Sequence, residues 1–281
     1  MAHGEAEGAE GLTPGRGIMG KREAYAEQLK SVQDWVSFLE KHSGLPGPRG
    51  NLELANAAAD CGTARQFREW IKYEPRRAPT NTPGEFVAFC GVLGHGRLLA
   101  EGGDQAVTVL RRAASDPRWR VREAAAMGMQ RLGAVDMGKM LRVVEPWARG
   151  TPLEQRAAAA AACEPRLLRE PRHARRVLRM LDRITASLAR AQDRRTEEFR
   201  VLRRGLGYCW SVAVAALPEA GKPMLEKWSE SPNPDVLWLV RSNLGTARLA
   251  RIDRRWVTAL RTRMAAEADG RGARHNAASK A

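Results

Sequence analysis

From about Lys21 to about residue 268, apolar side chains return every three or four positions. No stretch alternates with the period of two that a half-buried strand requires. The run Val177, Leu181, Ile184 and Leu188 is representative, since these positions fall on one stripe of a helix. The breaks between such runs are short. Ser43 to Gly50 is a Pro/Gly loop, and Asn51 behind it is suited to cap the next helix. Thr63 is a similar cap, and Pro75 to Pro83 reads as a longer loop. Thr151-Pro-Leu-Glu154 is a capping box with Pro at the first helical position. Pro171, Pro218, Pro232 and Pro234 mark further boundaries. The pattern predicts an all-α chain of at least about ten helices, each about 8–20 residues long and joined by short turns. Residues 1–20 and 269–281 lack apolar periodicity and are expected to be disordered tails.

One pattern occurs twice. Asp116-Pro-Arg-Trp119-Arg-Val121-Arg122 matches Asp235-Val-Leu-Trp238-Leu-Val240-Arg241, and the two copies stand 119 residues apart. That offset is close to three periods of about 40 residues. A degenerate copy ends at Arg156, with Gly150 in the Asp position and Leu153 in the Trp position. At the turn, Asp is placed to cap the following helix, Arg to tie adjacent units, and Val and Trp to fill the space between them. This arrangement resembles the HEAT-repeat family. The resemblance implies an α-solenoid of stacked antiparallel helix pairs wound into a right-handed superhelix, with the repeats over residues 104–268. Residues 21–103 match as generic helical pairs, either a capping region of the stack or a separate interaction unit. On this reading Asp116, Trp119, Arg122, Arg156, Asp235, Trp238 and Arg241 are structural.

The segment from Trp228 to Arg241, with Asn233 in its turn, is also similar to the repeats of the HEAT-like DNA glycosylases of alkylation repair. That resemblance implies a duplex held on a basic concave surface and a catalytic Asp beside an aromatic-lined cleft. The corresponding segment here, Gly207-Tyr-Cys-Trp210, supplies aromatics but no carboxylate. No residue is therefore assigned as catalytic.

Charge changes the picture further. The chain has a formal net charge of +15, and residues 1–100 contribute none of it, holding 12 basic and 12 acidic side chains. The excess lies beyond residue 100, which suggests a polyanionic partner. Of the 47 basic residues 39 are Arg, a bias that a GC-rich genome also writes. At about 100° per residue, Arg172, Arg176, Arg179, Arg183, Arg190 and Arg194 share a strip of about 60°, opposite the apolar stripe. Arg suits phosphate because its planar fork gives paired hydrogen bonds. A second cluster includes Arg251 and Arg255. The competing reading of such a strip is a solvated helix face.

The four cysteines and five histidines show no metal-ligand spacing, so no metal or cofactor is expected. There is no phosphate-cradling Gly loop, no Gly-x-Ser-x-Gly elbow and no deaminase pattern. No run approaches the roughly 20 apolar residues of a membrane helix, and no secretory signal is recognised, so a cytoplasmic location is expected. Three functions follow as expectations. The first is a non-enzymatic binding protein that contacts nucleic-acid phosphates. The second is a scaffold gripping an acidic protein. The third is an alkylation-repair glycosylase.

Overall fold

Capping chemistry sets where the helices begin in the computed structural model, which describes residues 20–278 (side chains through Glu267). The elements in order are α1 (Lys21–Ser31), α2 (Trp35–His42), α3 (Leu52–Cys61), α4 (Ala64–Trp70) and α5 (Pro83–Ala100). There follow α6 (Ala106–Ala113), α7 (Trp119–Val135), α8 (Met137–Trp147), α9 (Pro152–Ala162) and α10 (Pro171–Ala189). The last are α11 (Glu197–Ala216), α12 (Pro218–Ser229), α13 (Pro234–Leu244) and α14 (Ala247–Ala278). A short 3-10 turn, Pro165–Leu167, precedes α10. The described residues are therefore all-α, with no strand among them. No helix among them is long and apolar enough to cross a membrane.

Asn51 caps α3 by accepting the Leu54 amide at 3.1 Å. Thr63 and Thr151 each complete a capping box, with Gln66 and Glu154. Pro occupies the first turn of α5, α9, α10, α12 and α13, where its missing N–H leaves no helical bond unmade. The expected N-terminal tail falls, apart from Gly20, outside the described residues. The expected C-terminal tail is described as helix as far as Ala278, in line with the strong helix preference of its Ala and Arg residues. Helix α14 breaks at Asp253, which leaves helical backbone (φ −156°, ψ 91°). Its carboxylate accepts the Trp256 amide at 2.9 Å and so caps the second half of the helix.

Two rows of helices pack two apart, while α2, α4 and α6 pack beside α5 and α7. α1 packs on α3, α3 on α5, α5 on α7, α7 on α9, α9 on α11, and α11 on α13. A second row places α8 on α10, α10 on α12, and α12 on α14. One apolar core, from Leu29 to Met264, runs through both rows, with Trp147, Trp210, Phe67 and Phe86 among its largest buried side chains. The most extensive helix pair is α5 with α7, which crosses the 103/104 boundary expected between the N-terminal pairs and the repeats. It forms because Gly96 and Gly128 bring two backbones together. A Cβ on Gly96 would stand 2.2 Å from the Gly128 Cα.

His95 on α5 is buried, and its Nδ1–H donates to the Gly91 carbonyl at 2.8 Å. Burial lowers its pKa, the Gly91 bond opposes this, and the nearby Arg68 charge reinforces it. The ring is thus neutral in the fold.

Two outcomes are expected. Gly96→Ala destabilises the chain by about 1–3 kcal/mol in urea denaturation, because the backbone it meets cannot yield. Gly205→Ala on α11, which faces only the Arg156 Cγ at 3.2 Å, is neutral or stabilising by up to about 1 kcal/mol. For His95 the unfolded chain takes up a proton near pH 6.5, before the folded chain does. Stability present above that pH is therefore lost as pH falls through the lowered folded value. The drop in urea midpoint between pH 7.5 and pH 5.5 should be smaller in His95→Gln.

Candidate nucleic-acid interface

Helix α10 is strongly amphipathic. His173, Ala174, Val177, Leu178, Leu181, Ile184 and Leu188 are buried, which turns Arg172, Arg176, Arg179 and Arg183 to the outside. Helix α8 buries Met137, Met140, Leu141, Val144 and Trp147, leaving Arg142 and Glu145 outward and Arg149 exposed in the turn that follows. Because α8 packs on α10, the two basic faces border one trough. Its wider part, about 840 Å³, is lined by Arg142, Arg166, Arg169, Arg172 and Arg176, with Asp136 and Glu170. Its narrower part, about 370 Å³, is lined by Arg142, Arg149, Arg176, Arg179 and Arg183, with Glu145 as its one carboxylate. Arg142 and Arg176 belong to both.

Some of this charge is already balanced. Arg176 Nε lies 3.0 Å from Glu145, Arg172 Nε 2.6 Å from Glu170, and Arg142 3.9 Å from Asp136. The amide of Lys139, joined by the Arg142 charge, holds the Asp136 carboxyl below the usual carboxylate range. Arg149, Arg166, Arg169, Arg179 and Arg183 have no carboxylate partner among the described residues. Along α10 the guanidiniums from Arg172 to Arg183 are spread over about 16 Å by the rise of the helix, and Arg179 and Arg183 are the two of that run without a carboxylate.

The structure corrects two members of the predicted strip. α10 ends at Ala189, Arg190 is its C-cap, and Arg194 lies outside any helix. The stop is local chemistry. Asp193 accepts the Arg195 amide at 2.9 Å and Thr196 caps α11, so the chain turns before the strip is complete. Arg194 instead pairs with Asp235 at the start of α13. Arg251 and Arg255 are exposed on α14, on the far side of α12, and do not line the trough. Sequence reasoning missed Arg142, Arg149, Arg166 and Arg169. Their signal was the outward phase of α8 and the basic turn before Pro171, which becomes informative only once α8 and α10 are known to be neighbours.

The repeat residues are placed unevenly. Arg122 donates to the Asp116 and Pro117 carbonyls at 2.7 and 2.9 Å, returning to its own turn. Burial, then the neighbouring Arg156, lowers its pKa. Arg156 on α9 pairs with Glu123 on α7. Asp235 holds Arg194 and stands 2.9 Å from Arg203 Nε, while the cap of α13 is Asn233. Asp116 does not cap α7 either. It accepts the Arg118 amide at 2.8 Å and fixes the Arg118 guanidinium, which reaches the Tyr73 and Ala78 carbonyls at 2.7 and 3.0 Å. Trp238 is half-buried against Gly207, with the Arg203 guanidinium 3.8 Å from its ring. Trp119 is 48% exposed, because it is the first residue of α7 and projects from its end beside Arg120. Arg241 is exposed, and its guanidinium makes no hydrogen bond or ion pair among the described residues.

No protein-family model matches the chain, and no curated protein matches it. Among solved structures, an engineered protein from a structural-genomics consortium is 16% identical, over 80% of this chain and 95% of its own, with a TM-score of 0.34. That likeness is too low to carry an argument about fold or function.

Arg118→Ala should destabilise the chain by about 3 kcal/mol, since it strands a nearly buried carboxylate and two carbonyls. Arg241→Ala should stay within about 0.5 kcal/mol of the parent. Urea midpoints of the two variants decide whether the sequence-equivalent or the buried arginine holds neighbouring units.

Proposed function

We propose that the chain is a HEAT-like α-solenoid, without enzymatic activity, that holds a nucleic acid by its phosphates along the α8–α10 trough. The two-apart packing supports the solenoid, since α1 to α13 in the odd row and α8 to α14 in the even row each meet the second helix after them rather than a distant segment. Row spacing supports its curvature. α5, α7 and α9 meet through Gly and Ala, whereas α8, α10 and α12 present Leu, Met and Trp. A stack narrower on one row bends toward that row, and the HEAT resemblance gives the bend a right-handed winding. The trough then lies on the outer row, away from the concave side that a glycosylase uses.

The observation that carries the reading is the set of five arginines in the trough that lack a carboxylate. Like charges four apart on a helix are unfavourable by about 0.2–0.5 kcal/mol per pair, and a row of phosphates relieves that repulsion. Contacts of this kind bind backbone and read no bases. A further point favours binding over base excision. Asp235, joined to Trp238 through Arg203, is held by two guanidiniums, an arrangement suited to bracing α11 against α13 rather than to proton transfer.

Duplex binding measured across a salt series tests the proposal. Affinity should fall with a log–log slope of about −0.9 per phosphate neutralised. The double variant Arg179→Glu/Arg183→Glu should weaken binding for every sequence and shrink the slope by about two. Salt-independent binding, or none at low salt, overturns the reading. Capture of an acidic protein that survives nuclease treatment would replace it with the scaffold reading.

A further inference from the structure

The wide part of the trough differs from the stripe beside it. It is a recess of about 840 Å³ set between the start of α8, the 3-10 turn and the start of α10. His173 lines it and is 7% exposed. Its nearest carboxylate, Glu170, stands 4.0 Å from Nδ1, beyond hydrogen-bond reach. Neither ring nitrogen has a hydrogen-bond partner among the described residues. The ring is nearly buried, yet its nitrogens are not sealed by packing and open into the recess, free to take a ligand. Around it stand Arg142, Arg166, Arg169, Arg172 and Arg176, of which Arg166 and Arg169 are exposed and unpaired. The two carboxylates of the recess are already engaged. Asp136 caps α8, and Glu170 holds Arg172.

We infer that this recess is a receptor site for a terminal phosphate group, with His173 at its floor and Arg166 and Arg169 closing over it. A phosphomonoester carries between about 1.5 and 2 negative charges near pH 7 and offers three acceptor oxygens. An internal phosphodiester has a single charge and a sugar on either side, which keeps it at the surface. Only a chain end, or a small free polyphosphate, presents a phosphate that projects far enough to meet a nearly buried ring. Arginine forks and an imidazole N–H are the donors such a group takes. No Phe, Tyr or Trp lines the recess, and the one ring there, His173, is nearly buried, so the site is built for the phosphate rather than for stacking a base. Arg172 and Arg176 lead from its mouth into the narrow part with Arg179 and Arg183. A strand seated by its end would lay its following phosphates along them. The strand-end version rests on the nucleic-acid reading above, while the site itself does not.

The full chain is titrated with one oligonucleotide in three forms: 5′-phosphorylated, 3′-phosphorylated and unphosphorylated. Inorganic tripolyphosphate is titrated separately by calorimetry. A terminal phosphate on one end should tighten binding about tenfold or more. That gain should vanish in Arg166→Ala/Arg169→Ala and in His173→Gln, while Arg179→Glu/Arg183→Glu weakens all three forms alike. Both arginines are exposed, so the first variant preserves the fold and guards against a folding defect in the second. If the oligonucleotides are not distinguished, or do not bind, but tripolyphosphate binds and is lost in Arg166→Ala/Arg169→Ala, the site stands with a free polyphosphate as its ligand. No end preference together with no tripolyphosphate binding, or binding indifferent to these substitutions, overturns the inference.

Discussion

The approach of α5 to α7 is the constraint on which the rest of the molecule depends. Two helix backbones are brought together where each lacks a side chain, at Gly96 and Gly128. Neighbouring contacts in the same row continue through Ala124, Ala125, Ala157, Ala158 and Ala161, all buried. Small residues gain little transfer energy each, but they let dispersion act between whole backbones. The larger side chains are then displaced to the other row, where Met140, Trp147, Met180 and Leu181 fill a wider space. The trough between α8 and α10 is a by-product of that wider spacing.

Buried charge is confined to the joints between pairs. Glu85 is fully buried, and its Oε2 accepts the Asn81 amide at 2.7 Å and lies 3.2 Å from Arg120. Arg120 also donates to the Gly47 carbonyl at 2.7 Å. One guanidinium thus joins α7 to α5 and to two loops that precede it. Buried pairs of this type add little net stability relative to an apolar equivalent, but separating them is expensive. Their effect here is to fix register between helices whose small-residue faces would otherwise slide.

Much of this was legible in the sequence, for identifiable reasons. Helix starts were readable because Asn51, Thr63 and the Thr151/Glu154 box act within four residues. Pro171, Pro218 and Pro234 fixed their helices equally well. The Arg172–Arg183 half of the strip was readable because it depends on helix phase alone. The Arg190–Arg194 half was not, because a two-residue turn at Asp193 outweighs any extrapolated periodicity. Asp116 and Asp235 match in sequence yet serve different partners, since α7 begins three residues after the first Asp and α13 begins one residue before the second. His173 gave no signal in the sequence, where it is one of five histidines without metal-ligand spacing. Its unpaired state is a property of α8 and the 3-10 turn packed around it.

The guanidinium of Arg118 has a consequence for how the molecule comes apart. It is anchored at Asp116 in the α6–α7 turn and at the Tyr73 and Ala78 carbonyls, some forty positions earlier in the chain. An array of repeats ordinarily frays from either end, one unit at a time. A clasp that joins the α4–α5 loop to the α6–α7 turn, across α5 and α6, forbids that route in this stretch, because releasing any member leaves a charge without its partners. The N-terminal pairs and the pairs that follow should melt together as a single cooperative block, leaving gradual fraying to the far end, beyond Asp253.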